Sequence, residues 1–161
     1  MPLCRTALLV AGFVALAAPA PAQVRAIAPH LIVGATQFQA LRWMAGTWRA
    51  ESDSAPTAYV RYRFLDDSTL LVERAADRRF SGAVARERYE LRKNRFATRA
   101  APRWVATAFD STSVSFQRST RGANSLIWRK LGPDEWLSVL TAPPTVDAPA
   151  RVVTSRMTRV R

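Results

Sequence analysis

The sequence predicts an all-β protein: an antiparallel up-and-down barrel of about ten strands with one short N-terminal helix. Three observations carry this. From residue 46 onward, apolar and polar residues alternate with period two, as in strands with one face buried. Turn-forming clusters interrupt the alternation every eight to twelve positions, mostly at hairpin length, so successive strands should pair antiparallel. Only one stretch, just before residue 46, has helical spacing. Closure into a barrel is expected because it removes both exposed edges of the sheet.

The first residues have the layout of a secretory signal peptide. A short positive start, with Arg5, precedes an apolar run of twelve residues, 7–18. Ala20 and Ala22 then form an A-x-A cleavage site. The run is too short to span a membrane as a helix, which needs roughly 20 residues. The expected division is a signal peptide at 1–22, a leader or linker at 23–35, and the barrel domain at 36–161. Location in the periplasm or outside the cell follows. Cys4 is the only cysteine and precedes the apolar run, so packing alone must hold the mature domain together.

Within the domain, Thr36-x-x-Gln39 has the form of a capping box. Phe38, Leu41 and Met44 recur at three-residue steps and should share one helical face. Gly46 ends the helix, and the chain runs directly into the first strand. The ten strands are expected at 46–52, 57–65, 69–76, 82–92, 95–100, 103–110, 113–118, 124–131, 135–141 and 150–160. Asp66-Asp67-Ser68, Lys93-Asn94, Asp110-Ser111-Thr112 and Gly132-Pro133-Asp134 supply turn chemistry between them. The longest break, 142–149, is expected to cross the barrel rim.

Alternation also assigns faces. Val60, Tyr62 and Phe64 should point inward, with Arg61 and Arg63 outward. Arg86, Arg88 and Arg92 must be solvated, which turns Glu87, Tyr89 and Leu91 inward. If Leu70 and Val72 are the inner pair of the third strand, Arg74 is inside too. Arg74 and Glu87 would then form an ion pair, because either charge alone would be expensive to desolvate. That pair is either structural or the polar end of a ligand cavity. Tyr62, Arg74, Glu87, Tyr89 and Phe116 are the candidate ligand-binding residues. The five tryptophans, Trp43, Trp48, Trp104, Trp128 and Trp136, read as core.

Composition excludes several chemistries. His30 is the only histidine, and no His/Cys/carboxylate cluster has metal-ligand spacing. No G-x-S-x-G elbow or glycine-rich phosphate loop occurs. No catalytic residue, metal or cofactor is therefore expected, although Glu87 could in principle serve as an acid or base. The net charge of +12 is almost entirely arginine, Lys93 and Lys130 being the only lysines. These charges suit a solvated surface or an anionic lipid or envelope partner. They are spread along the chain rather than clustered, which argues against nucleic acid.

The stretch Leu41-Arg-Trp-Met-Ala-Gly-Thr-Trp-Arg-Ala-Glu51 resembles the calycin superfamily, which groups lipocalins, fatty-acid-binding proteins and nitrobindin-like domains. A short helix leading into Gly-x-Trp is their shared mark. It looks closest to exported bacterial lipocalin-like domains of unknown function, which pair an L-x-W-x-x-G-x-W opening with an arginine in the third strand and a glutamate in the fourth. Arg74 and Glu87 match those places. Ser125-Leu-Ile-Trp-Arg-Lys-Leu-Gly132 resembles the same family's penultimate hairpin. The family's Asn-Pro and His-Asp-Phe-Pro segments are missing, since Phe116-Gln-Arg-Ser-Thr-Arg-Gly-Ala-Asn124 stands there. The C-terminal histidine through which nitrobindin-like proteins bind haem is missing as well. In lipocalins an arginine of the last strand packs over the Gly-x-Trp tryptophan. The resemblance therefore implies a barrel closure built from Trp43, Trp48 and either Arg156 or Arg159. Arg156 is the choice if Val152 and Thr154 face inward.

Two functional classes follow. The favoured expectation is an exported, monomeric, non-enzymatic barrel that binds a small apolar or amphipathic ligand. The alternative is an arginine-rich surface interaction protein with a filled barrel, engaging anionic cell-envelope components.

Overall fold

The computed structural model describes residues 31–161 except 102, 121–123 and 147. The expected signal peptide, residues 23–30 of the leader and His30 lie outside the described residues. Helix α1 (Ala35–Ala40) continues into a 3₁₀ turn (Leu41–Met44). Ten strands follow: β1 (Gly46–Ser52), β2 (Ala55–Phe64), β3 (Thr69–Ala75), β4 (Ala85–Arg92), β5 (Arg95–Thr98), β6 (Trp104–Phe109), β7 (Ser113–Arg118), β8 (Ser125–Lys130), β9 (Glu135–Ala142) and β10 (Arg151–Arg159). Each strand pairs antiparallel with the next, and β10 pairs with β1, so the sheet is a closed up-and-down barrel. All ten expected strands are present.

One local expectation is corrected. The helix cap is Gly34, not Thr36: Gly34 is extended, and its N–H donates to Gln37 Oε1 at 2.9 Å. Gln37 sits three residues past the cap, where its side chain can reach back. The break expected at 142–149 lies between neighbouring strands, β9 and β10, with Ala142 opposite Arg151.

The helix plugs one end of the barrel. Phe38, Leu41 and Met44 are fully buried, and Phe38 meets Phe64 and Phe96 edge-on at 5.5 and 5.3 Å. The Val33 N–H donates to Asn94 O at 2.9 Å, and Arg42 pairs with Asp67 at 3.0 Å. These contacts put the β2–β3 and β4–β5 turns beneath the helix. Lys93 and Asn94 form the latter with φ of 49° and 59°, the left-handed geometry that suits a two-residue hairpin turn. The β1–β2, β3–β4, β5–β6, β7–β8 and β9–β10 connections lie at the other end.

On the outside of β3, Glu73 is only 2% exposed. Its carboxylate accepts from Arg61 Nε at 2.9 Å and Arg86 Nε at 3.1 Å, with Arg63 Nε at 3.4 Å. The β3–β4 segment folds over this face, and the Arg61 guanidinium lies 4.3 Å from the centroid of the Phe80 ring. Burial raises the Glu73 pKa, but bonds from Arg86 and Arg61 and the charges of Arg61 and Arg63 outweigh it, so the net shift is below the ordinary 4.5. Such a group stabilises the fold fully above 4.5 and loses that contribution as pH falls through its depressed folded pKa. Glu73→Gln is expected to cost about 1–3 kcal/mol at neutral pH and to flatten the loss of stability in acid. Thermal unfolding of both proteins from neutral to acid pH checks this, and parallel curves would refute it.

Candidate functional site

The barrel interior has two halves, and side-chain size separates them. Toward the helix it is filled by aromatic rings. Trp48 and Trp136 meet at 6.0 Å, Tyr62 and Trp136 at 5.6 Å, and Phe116 and Trp128 at 4.8 Å, each edge to face. Toward the opposite end the inward positions carry short side chains, including Ala50, Ala85, Ser138 and Ser155. They leave a cavity of about 970 Å³ that opens between the loops. This overturns the filled-barrel part of the alternative expectation. The volume lies within the range of small-molecule sites.

The cavity wall is largely apolar, with Val60, Val72, Leu126, Leu140, Val153 and Met157 contributing. Tyr62 and Trp128, 5.9 Å apart, form much of its floor. Four of the five expected ligand-binding residues line it: Tyr62, Arg74, Glu87 and Tyr89. Strand register brings them together. Tyr62 faces Val72 across β2–β3, Val72 faces Glu87 across β3–β4, and Arg74 lies one inward step beyond, opposite Ala85. Phe116 is fully buried beneath them, against Tyr89 and Trp128, and does not line the cavity.

The expected Arg74–Glu87 ion pair is absent among the described residues. Arg74 sits at the exposed mouth, where water solvates its charge, so it needs no buried partner. Glu87 instead accepts a hydrogen bond from the Tyr89 hydroxyl at 3.0 Å. Burial raises the Glu87 pKa, opposed by that hydrogen bond and by the Arg118 charge. Burial also raises the phenols of Tyr62 and Tyr89; the Arg74 charge opposes this at Tyr62, and the charge of Glu87 adds to both. Both tyrosines therefore stay protonated at neutral pH and can donate hydrogen bonds.

Sequence reasoning passed over Arg118. Its two-residue steps from Val114 and Phe116 are the signal that would have found it on the inner face. Its guanidinium lies 5.3 Å from the centroid of Trp104, which lines the cavity. Ser138 also escaped notice, since a small inward residue matters only for the space it leaves.

At the plugged end the closure expectation is corrected as well. Met157 faces inward, so Val153, Ser155 and Arg159 do as well, and Val152, Thr154 and Arg156 face out. Arg159, not Arg156, covers Trp48, with its guanidinium carbon 4.2 Å from the ring centroid. Arg156 pairs with Glu135 on the surface. Trp43 and Trp48 both pack against Trp136, at 6.0 Å each.

Among the described residues, no three His, Cys, Asp or Glu side chains converge to hold a metal ion. No family model matches this sequence, and no curated protein matches it significantly. Among solved structures, EF1p2_mFAP2b bound to DFHBI aligns with a TM-score of 0.41 and 11% identity, over 77% of this chain and 99% of that one. A redesigned β-barrel aligns with a TM-score of 0.37 and 13% identity, over 76% of this chain and 96% of that one. The barrel assignment rests on the strand pairing itself, which closes without a gap.

Proposed function

We propose that this protein is an exported, lipocalin-like barrel that binds one small apolar or amphipathic molecule and does no chemistry on it. The observation that carries the reading is the open, mostly apolar cavity of about 970 Å³, with a few polar groups at defined places on its wall. Its floor is rigid because the rings beneath it interlock. Its polar groups can orient a ligand: two protonated phenols, the Glu87 carboxyl and the Arg74 guanidinium. The A-x-A leader supports export, and the resemblance of residues 41–51 to the calycins supports the lipocalin-like reading.

Titration with Nile red, an uncharged polarity-sensitive dye, tests the site directly. One dye per barrel is expected, with blue-shifted emission. Ser138→Trp, whose ring would extend from β9 into the cavity beside Trp128, should weaken binding at least about tenfold without lowering the unfolding temperature. Unchanged affinity in this variant would place the dye elsewhere and remove the support for a cavity ligand. Native mass spectrometry of protein purified from its own host would then show what the cavity carries.

A further inference from the structure

The cavity holds an excess of positive charge where it opens. Glu87 is the one carboxylate among its lining residues, against Arg74, Arg86, Arg88 and Arg99. Two of these arginines are engaged outside it: Arg86 binds Glu73 at 3.1 Å, and Arg99 lies 3.7 Å from Glu90. Arg74 points inward from the end of β3 and makes no hydrogen bond or ion pair among the described residues.

Arg118 stands opposite the cavity-lining Trp104 across β6–β7, so it shares the inner face at this end of the barrel, just behind the lining residues. It stacks over Trp104, and its Nε is buried with no hydrogen-bond partner among the described residues. An N–H withdrawn from water without an acceptor is unfavourable, more so on a charged group. Glu87 is close enough for the Arg118 charge to act on it, yet its nearest bond is to Tyr89. At the open end of the barrel one carboxylate, Glu87, thus stands against the two inner-face guanidiniums of Arg74 and Arg118, which leaves one cation to be balanced from outside the protein.

We infer that the cavity selects a singly charged anionic amphiphile, its oxyanion head held at the mouth by Arg74 and Arg118 and its apolar body laid along Leu126, Trp128 and Met157. The inference rests on the reading of the cavity as a ligand site. Guanidinium groups match the planar oxygens of a carboxylate, sulfonate or phosphate monoester and make their strongest hydrogen bonds to them. The wall below, mostly apolar along Leu126, Trp128 and Met157, suits an apolar body behind that head. A cationic head would meet Arg74 and Arg118 with like charge, and a neutral head would leave the surplus unbalanced.

Three probes sharing one chain length separate the terms: decanoate, decanol and decyltrimethylammonium. Each is titrated below its micellar concentration at neutral pH, with tryptophan fluorescence as readout. Decanoate should bind at least about tenfold more tightly than decanol, the cation should bind most weakly, and added salt should weaken decanoate alone. Acetate, a head without a tail, should not compete with decanoate. Arg74→Gln and Arg118→Gln should each remove most of the decanoate preference and leave decanol affinity unchanged. If Arg118→Gln lowers the unfolding temperature, Arg118→Lys, which retains the charge, should keep part of the preference. Equal affinity for decanoate and decanol, or a preference that survives both glutamine variants, would overturn the inference while leaving the cavity as a ligand site. Failure of all three probes and of Nile red would overturn both.

Discussion

Replacing Trp48 by alanine is expected to destabilise the protein by about 3–5 kcal/mol, the largest effect of any single change considered. The side chain is fully buried and does three things at once. Its ring packs against Trp136, its Nε1 donates to Met44 O at 2.7 Å, and its face carries the Arg159 guanidinium. Alanine would leave a void between helix and barrel, strand a buried carbonyl and free the arginine. For a domain of this size the unfolding temperature should fall by roughly 10–20 °C. Trp48→Phe keeps most of the packing and loses the hydrogen bond, so it should cost about 1–2 kcal/mol. Calorimetry on both variants decides the matter. An equal loss in the two would assign the stabilisation to the hydrogen bond rather than to the ring.

Arg159→Ala is expected to cost about 2–4 kcal/mol, whereas Arg156→Ala should stay within about 0.5 kcal/mol of the wild type. The contrast tests the closure directly. Arg159 donates from Nη1 to Ala45 O at 2.8 Å and from Nη2 to Trp43 O at 3.0 Å and Pro133 O at 3.3 Å. Its Nε also lies 3.0 Å from Asp134. One side chain thereby ties the end of the 3₁₀ turn, the β8–β9 turn and Trp48 together. Gly46 belongs to the same arrangement. It has φ of +117°, and a Cβ there would stand 2.9 Å from Arg159 Nη1. Arg159→Lys should recover less than half of the loss, since an ammonium cannot reach acceptors in several directions from one plane. Arg156, mostly exposed, makes a surface ion pair of the kind that contributes little. Equal effects at the two positions would refute the closure.

The ten strands were legible because each carries its own period and its own turn. Inward faces followed wherever charge forced the choice, as with Arg86, Arg88 and Arg92 in β4. The face of β10 was not legible by the same rule. Val152, Thr154 and Arg156 form as good an alternating set as Val153, Ser155 and Met157, and neither is strongly apolar. Only pairing with β1, which sets Trp48 opposite Arg159, decided it. The burial of Glu73 was not legible either, because the folding of Phe80 back over that face leaves no mark on β3 itself.

The sequence by itself determined the barrel, the plug and the identity of most polar groups around the cavity, because these depend on periods and turns within a few residues. The tertiary structure decided which charges meet and how much space remains. Arg74 and Glu87 share an inner wall, yet solvent at the mouth releases one and Tyr89 engages the other. The cavity exists because small residues from distant strands, Ala50, Ala85, Ser138 and Ser155, gather at one end. No local pattern records that coincidence, since an empty volume belongs to no single strand.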